Sequence, residues 1–256
     1  MVIEDPRQHP GPPRILILDT PEHLANQAAL EFQVRAKAAM EESDRFAVAL
    51  SGGTTPRRML ELLATPEYAT RVDWSRVHVF WSDERCVAPD DPNSNYGIAR
   101  TVLLQHVPVP AANVHRLQGE LAPAEAASAY DAALRAFCAP DGGLDLIYLG
   151  LGADGHTASL FPRSSALGEQ TRLCVATQAP NTAVSANRLT LTYNAINAAR
   201  AVIFLVEGSD KAAIVASAIH GPSDPTQVPA QGVNPRAGTL TWMLDAQAAS
   251  KLQHRS

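Results

Sequence analysis

An aspartate and a histidine two residues apart on a glycine-rich turn are the groups of this chain best suited to proton transfer. The turn is Gly150-Leu151-Gly152-Ala153-Asp154-Gly155-His156. Imidazole is the side chain whose ordinary pKa lies nearest neutrality, and glycines let a backbone approach a ligand closely. The apolar run from Leu144 to Leu149 precedes the turn and reads as a buried strand. His156 therefore sits at the carboxyl end of a strand, the edge where open α/β sheets bind ligands. Asp154 either orients His156 or caps a following helix. A glycine-rich strand-to-helix connection with a capping histidine would use the same residues, so the rest of the chain must decide.

Three more candidates follow strands. Ser51-Gly52-Gly53-Thr54-Thr55-Pro56 comes after Phe46 to Leu50 and opens a helix running through Ala64. Helix amino termini carry unpaired N–H groups and attract phosphate, and Thr54 or Thr55 adds a hydroxyl. The glycine spacing fits neither a Walker loop nor a dinucleotide fingerprint, and a helix start with proline in its first turn reads the same way. Asp83-Glu84-Arg85 comes after Val77 to Trp81. It is either a solvated strand end with an internal ion pair or a catalytic pair. In the second reading Arg85 holds a fixed charge for a developing oxyanion and Asp83 a carboxylate near the reacting carbon. Ser94 reads as a helix cap, and Asn95 is open between capping and covering that edge. Arg188 opens a strand and Lys211 opens a helix after Gly208. With the Ser51-Gly52-Gly53-Thr54 turn, the two cations would clamp a phosphate, arginine by a forked contact and lysine as a point charge.

The elements that must position these groups alternate. Strands are expected at Arg14–Leu18, 46–50, 77–81, 144–149, Leu173–Thr177, Arg188–Thr192, Ala201–Val206 and Thr239–Leu244. Helices are expected at Glu22–Glu42, near Tyr96–Leu104, over Pro123–Phe137 and ending near His220. On the first helix Ala25, Ala29, Phe32, Ala36 and Met40 share a face. Such alternation predicts an α/β fold, a mostly parallel sheet with helices on both faces. Residues 1–13 read as a flexible, proline-rich tail and 14–256 as a single domain.

The net charge of −5, from 21 basic and 26 acidic residues, argues against a nucleic-acid or anionic-membrane partner, so an anionic ligand needs a local site. Cys86, Cys138 and Cys174 are odd in number and widely spaced, which suits reduced thiols and no metal site. With no signal-peptide pattern and no apolar run of membrane-spanning length, a cytoplasmic protein is expected.

Ser-Gly-Gly-Thr-Thr-Pro, Trp-Ser-Asp-Glu-Arg-Cys-Val, Asn-Ser-Asn-Tyr-Gly and Gly-Ala-Asp-Gly-His-Thr-Ala-Ser-Leu-Phe-Pro occur in that order. Together they resemble the glucosamine-6-phosphate isomerase/6-phosphogluconolactonase family, on its lactonase side, over nearly the whole chain after the tail. The resemblance implies a modified Rossmann-like fold shared with glucosamine-6-phosphate deaminase. It implies hydrolysis of 6-phospho-D-glucono-1,5-lactone in the pentose phosphate pathway, with no metal or other cofactor, by a monomer or homodimer. It also implies His156 as acid/base, Asp83 and Arg85 beside the lactone, and Gly53, Thr54, Arg188 and Lys211 on the phosphate. The chain departs from the family before Arg188: where the family has a Lys and several prolines, residues 178–187 contain no Lys.

Two rivals fit less well. The related deaminases follow Asp-Gly-His with Ala-Phe-Asn-Glu-Pro and have Tyr where Arg85 stands; this chain has Ala158-Ser159-Leu160-Phe161-Pro162 and no such Glu. A non-catalytic sugar-phosphate sensor would carry a basic DNA-binding segment, and the chain has none to spare. A serine hydrolase would need a Gly-x-Ser-x-Gly elbow, which is also lacking.

Overall fold

The computed structural model describes residues 11–138, 143–180 and 185–252. Most of the expected tail thus lies outside the described residues. Along the chain the elements are β1 (Arg14–Leu18), α1 (Pro21–Ser43), β2 (Phe46–Leu50), α2 (Thr54–Leu63), α3 (Pro66–Ala69), β3 (Val77–Trp81), β4 (Asp83–Arg85), α4 (Asn95–Ala99), α5 (Pro123–Cys138), β5 (Leu146–Leu149), β6 (Cys174–Gln178), β7 (Asn187–Leu191), α6 (Tyr193–Ile196), β8 (Ala201–Val206), α7 (Ala212–His220) and β9 (Thr239–Asp245).

Six of the strands form one parallel sheet in the order β1-β9-β8-β5-β2-β3. Every residue of β2, β5 and β8 is buried, so helices and loops cover both faces of the sheet centre. These strands are short apolar runs for that reason. α1 packs its expected face, Ala25, Ala29, Phe32, Ala36 and Met40, into the core. It starts where Thr20 accepts a hydrogen bond from the His23 N–H and Pro21 enters the first turn. Buried tyrosines tie the layers together. Tyr148 of β5 donates to the Ala28 carbonyl of α1. The Tyr130 hydroxyl of α5 accepts from the Trp81 N–H at 2.8 Å and donates to the Trp81 carbonyl at 3.0 Å.

Three expectations are corrected. Asp83–Arg85 is a strand of its own rather than the end of β3, and it leaves the main sheet to pair with β7. β4, β7 and β6 make a separate antiparallel sheet. The Tyr96–Leu104 helix is α4 followed by a π-helical turn, Arg100–Leu104. Finally, no helix directly follows the Asp154–His156 turn; the chain makes turns up to a 3-10 helix at Ser165–Gly168. Among the described residues no helix is long and apolar enough to cross a membrane.

Candidate active site

From β2 the chain crosses outward to β3, whereas from β5 it passes to β8 on the opposite side. The carboxyl ends of the neighbours β2 and β5 are therefore the switch point of the sheet, where a crevice opens between diverging connections. A cleft of about 480 Å³ lies there. Its lining includes Ser51, Gly52, Gly53 and Thr54 after β2, Asp83 and Arg85 of β4, Asn95, the Gly150–Gly152 backbone, His156 and Lys211.

The His156 ring is held on two sides. Nδ1 lies 2.6 Å from Asp154 Oδ1, and the ring packs against Phe161 at a centroid distance of 4.8 Å. A carboxylate only accepts, so in the neutral ring it is Nδ1 that carries the proton and Nε2 that bears the lone pair. The hydrogen bond from His156 lowers the pKa of Asp154 and keeps it ionised. The same Asp154 oxygen accepts the His156 backbone N–H at 3.1 Å. Since no helix follows for it to cap, orienting His156 is the role its contacts describe. A Cβ on Gly152 would lie 2.0 Å from His156 Nδ1, so this position must stay glycine for the ring to sit where it does. Thr157 Oγ1 donates to the Gly150 carbonyl and closes the turn.

The charged run of β4 is sorted by the two-residue period of a strand. Asp83 and Arg85 line the cleft, while Glu84 between them is buried under α4. There Glu84 accepts from the N–H groups of Arg85, Asn95 and Tyr96 and from Ser94 Oγ. Burial raises its pKa against those hydrogen bonds. Asp83 is held by Ser159 Oγ, which donates to Oδ2 at 2.7 Å, and by Asn95 Nδ2, which donates to the Asp83 carbonyl at 2.9 Å and to Oδ1 at 3.3 Å. Arg85 Nη1 donates to the Asn93 carbonyl. The cleft thus holds a proton-transfer group, a guanidinium and a carboxylate, each fixed by neighbours.

Its other end offers an uncapped helix start and a lysine. Helix α2 begins after Gly53 with no side-chain cap, leaving the N–H groups of its first turn available. The Lys211 side chain is mostly buried and its nearest carboxylate, Asp210, is 3.9 Å away. The Ser51 hydroxyl is engaged below the turn, with the Tyr148 carbonyl and Ser82 Oγ each at 2.7 Å. Any contact from Ser51 to a ligand is thus left to its backbone.

Arg188 stands apart. It is the cross-strand partner of Arg85, is buried, and donates to the carbonyls of Ser185 and Asn187. Burial, followed by repulsion from Arg85, lowers its pKa. It does not line the cleft beside Lys211. Of the unusual 178–187 segment, residues 181–184 lie outside the described residues. Asn95, which the sequence left open between capping and covering this edge, bonds Asp83, and Ser159 is a contributor that the sequence did not single out. A serine on a turn carries no signal of a distant carboxylate. Among the described residues no group of three or more His, Cys, Asp or Glu is placed to hold a metal ion.

The chain is similar to known proteins. A 6-phosphogluconolactonase of Synechocystis sp. is 38% identical over 246 residues, spanning 94% of this chain and 99% of the relative. One from Mycobacterium tuberculosis is 41% identical over 215 residues, spanning 80% and 84%. The structure of 6-phosphogluconolactonase from Trypanosoma brucei matches with a TM-score of 0.83 at 27% identity, covering 94% of this chain and 99% of that one. A monomeric glucosamine-6-phosphate deaminase shares the fold, with a TM-score of 0.79 at 21% identity, covering 93% and 99%. The family described as glucosamine-6-phosphate isomerases/6-phosphogluconolactonase matches residues 19–242, and the chain belongs to it.

Proposed function

We propose that this protein is a 6-phosphogluconolactonase, hydrolysing 6-phospho-D-glucono-1,5-lactone to 6-phosphogluconate in the oxidative pentose phosphate pathway. The observation that carries the reading is the oriented His156, whose Nδ1 is 2.6 Å from the Asp154 carboxylate, in one cleft with Arg85 and the open amino terminus of α2. The lactonases among its relatives support the same substrate. A lactone is an activated ester and needs no covalent nucleophile. His156 Nε2 takes a proton from water as its oxygen bonds to the lactone carbonyl carbon. Arg85 stabilises the resulting oxyanion, and Asp83 orients the water or the ring beside it. The bond to the ring oxygen then breaks, and that oxygen leaves with the proton His156 has carried. Water is thereby added across one C–O bond.

The phosphate is held by the Ser51-Gly52-Gly53-Thr54 backbone and Lys211. Arg188 is the second cation of this clamp, and to reach a phosphate its guanidinium must leave the carbonyls of Ser185 and Asn187. The enzyme works in the cytoplasm as a monomer or homodimer, without nucleic-acid or membrane partners and without a metal or other cofactor.

The test is hydrolysis of freshly made 6-phosphogluconolactone in a pH-stat, with the spontaneous rate subtracted. His156→Ala is expected to lower kcat by roughly 10²–10⁴-fold, and glucono-1,5-lactone without phosphate to be a poor substrate. A folded His156→Ala protein with near-normal kcat would sink the mechanism. A wild-type rate no faster than the spontaneous one would sink the assignment.

A further inference from the structure

We propose that Asp245 is a positioning residue for Lys211 and thereby sets the affinity of the cleft for a phosphorylated substrate. The inference rests on the reading of Lys211 as a phosphate ligand. Asp245 ends β9, and after Trp242, Met243 and Leu244 it is a carboxylate where apolar residues precede it; only 1% of its surface is exposed. Burying a carboxylate is costly unless hydrogen bonds compensate it. Among the described residues Asp245 makes no ion pair. Its partners are backbone donors: the Gly208 N–H, 3.1 Å from Oδ1 and 3.2 Å from Oδ2, and the Ala248 N–H, 2.7 Å from Oδ1.

Gly208 connects this carboxylate to the cleft. It follows the end of β8 and turns the chain with a φ of +97°, a region that favours glycine. The Gly208 carbonyl accepts the Lys211 N–H at 3.1 Å. The carboxylate thus grips one end of a four-residue turn whose other end is Lys211. Fixing that backbone fixes where the ammonium stands over the cleft. The contact to Ala248 has a separate task, closing the chain after β9; Oδ1 serves both contacts, and Oδ2 serves Gly208.

Asp245→Asn keeps the size of the side chain and one acceptor for Ala248. It removes the charge and replaces one of the two oxygens that receive the Gly208 N–H with an N–H₂ group, leaving that N–H a single neutral acceptor shared with Ala248. The expected result is a KM for 6-phosphogluconolactone raised about tenfold, the loss of one hydrogen bond to a charged group, with kcat within about twofold because no reacting atom is touched. The KM for glucono-1,5-lactone should not move. In a Lys211→Ala background, Asp245→Asn should add nothing further. A folded Asp245→Asn protein with unchanged KM, or one slowed equally on both lactones, overturns the proposal. Should that variant not fold, Asp245→Glu retains the charge but shifts it; it is expected to show the same substrate-selective rise in KM, and failure of both variants to fold assigns Asp245 to stability alone. If Lys211→Ala itself leaves KM for the phosphorylated lactone unchanged, the phosphate reading fails, a result separable from failure of the positioning role.

Discussion

The tautomer of one imidazole decides what the cleft can do. With Nδ1–H committed to Asp154, the free lone pair on Nε2 is the base. An amide at position 154 can donate to Nδ1, which moves the ring proton onto Nε2 and removes that base. Asp154→Asn is therefore expected to lower kcat by about 10²-fold or more, as the comparable change in a serine-protease triad costs about 10⁴. KM should change little, since the anion-binding end is elsewhere, and steady-state kinetics on both parameters checks this. The two-residue spacing on a turn offers the pairing of Asp154 with His156 as one of two readings, the other being a helix cap. The position of Arg188 is not legible in the sequence. Its neighbours in space are set by the register of β7 on β4, and although β7 is expected as a strand, Asp-Glu-Arg carries no apolar alternation to announce β4 as its partner.

At the level of elements, what could be read was whatever burial made uniform. β2, β5 and β8 are apolar runs because both their faces are covered, so their positions follow from composition alone. β4 is a strand because β7 pairs with it, a tertiary cause that local propensity does not contain. The edge strand β3 carries another feature of this kind. His78 Nδ1 and His115 Nε2 are 3.1 Å apart, with Phe80 and Phe137 packed around them and Arg45 over the Phe137 ring. Burial lowers both pKa values, aided by Arg45 at His78 and by His78 at His115. With folded values below the ordinary 6.5, the unfolded chain takes up protons first as pH falls. The pair's contribution to stability is thus complete above that value and is lost on acidification below it. The urea midpoint is expected to drop between pH 7 and pH 5, and His115→Phe to flatten that dependence. A slope unchanged in the variant would remove the pair as its source.

On the scale of the whole molecule, the cleft draws on β2, β4, β5, the loop after β8 and, through Asp245, β9, so a ligand bound there bridges much of the sheet. The product 6-phosphogluconate should therefore stabilise the fold by mass action, by about 2.7 kcal/mol at a hundredfold excess over Kd. For a domain of this size that corresponds to a rise in Tm of several degrees, at roughly 2–4 °C per kcal/mol. Thermal melts should show the shift, and Lys211→Ala should shrink it. The order of the strands in the sheet also has a meaning in time. β1 is the first strand to be synthesised, yet its partner in the sheet is β9, the last. A growing chain on the ribosome can join β2, β3 and β5, and with them the glycine turn and His156, well before β1 has anything to pair with. β9 then arrives and does two things at once: it fills the gap between β8 and β1, and it brings the carboxylate that grips the Lys211 turn. The glycine turn, the start of α2 and His156 thus belong to the early part of the chain, and only the Lys211 side of the cleft waits for the strand that closes the sheet.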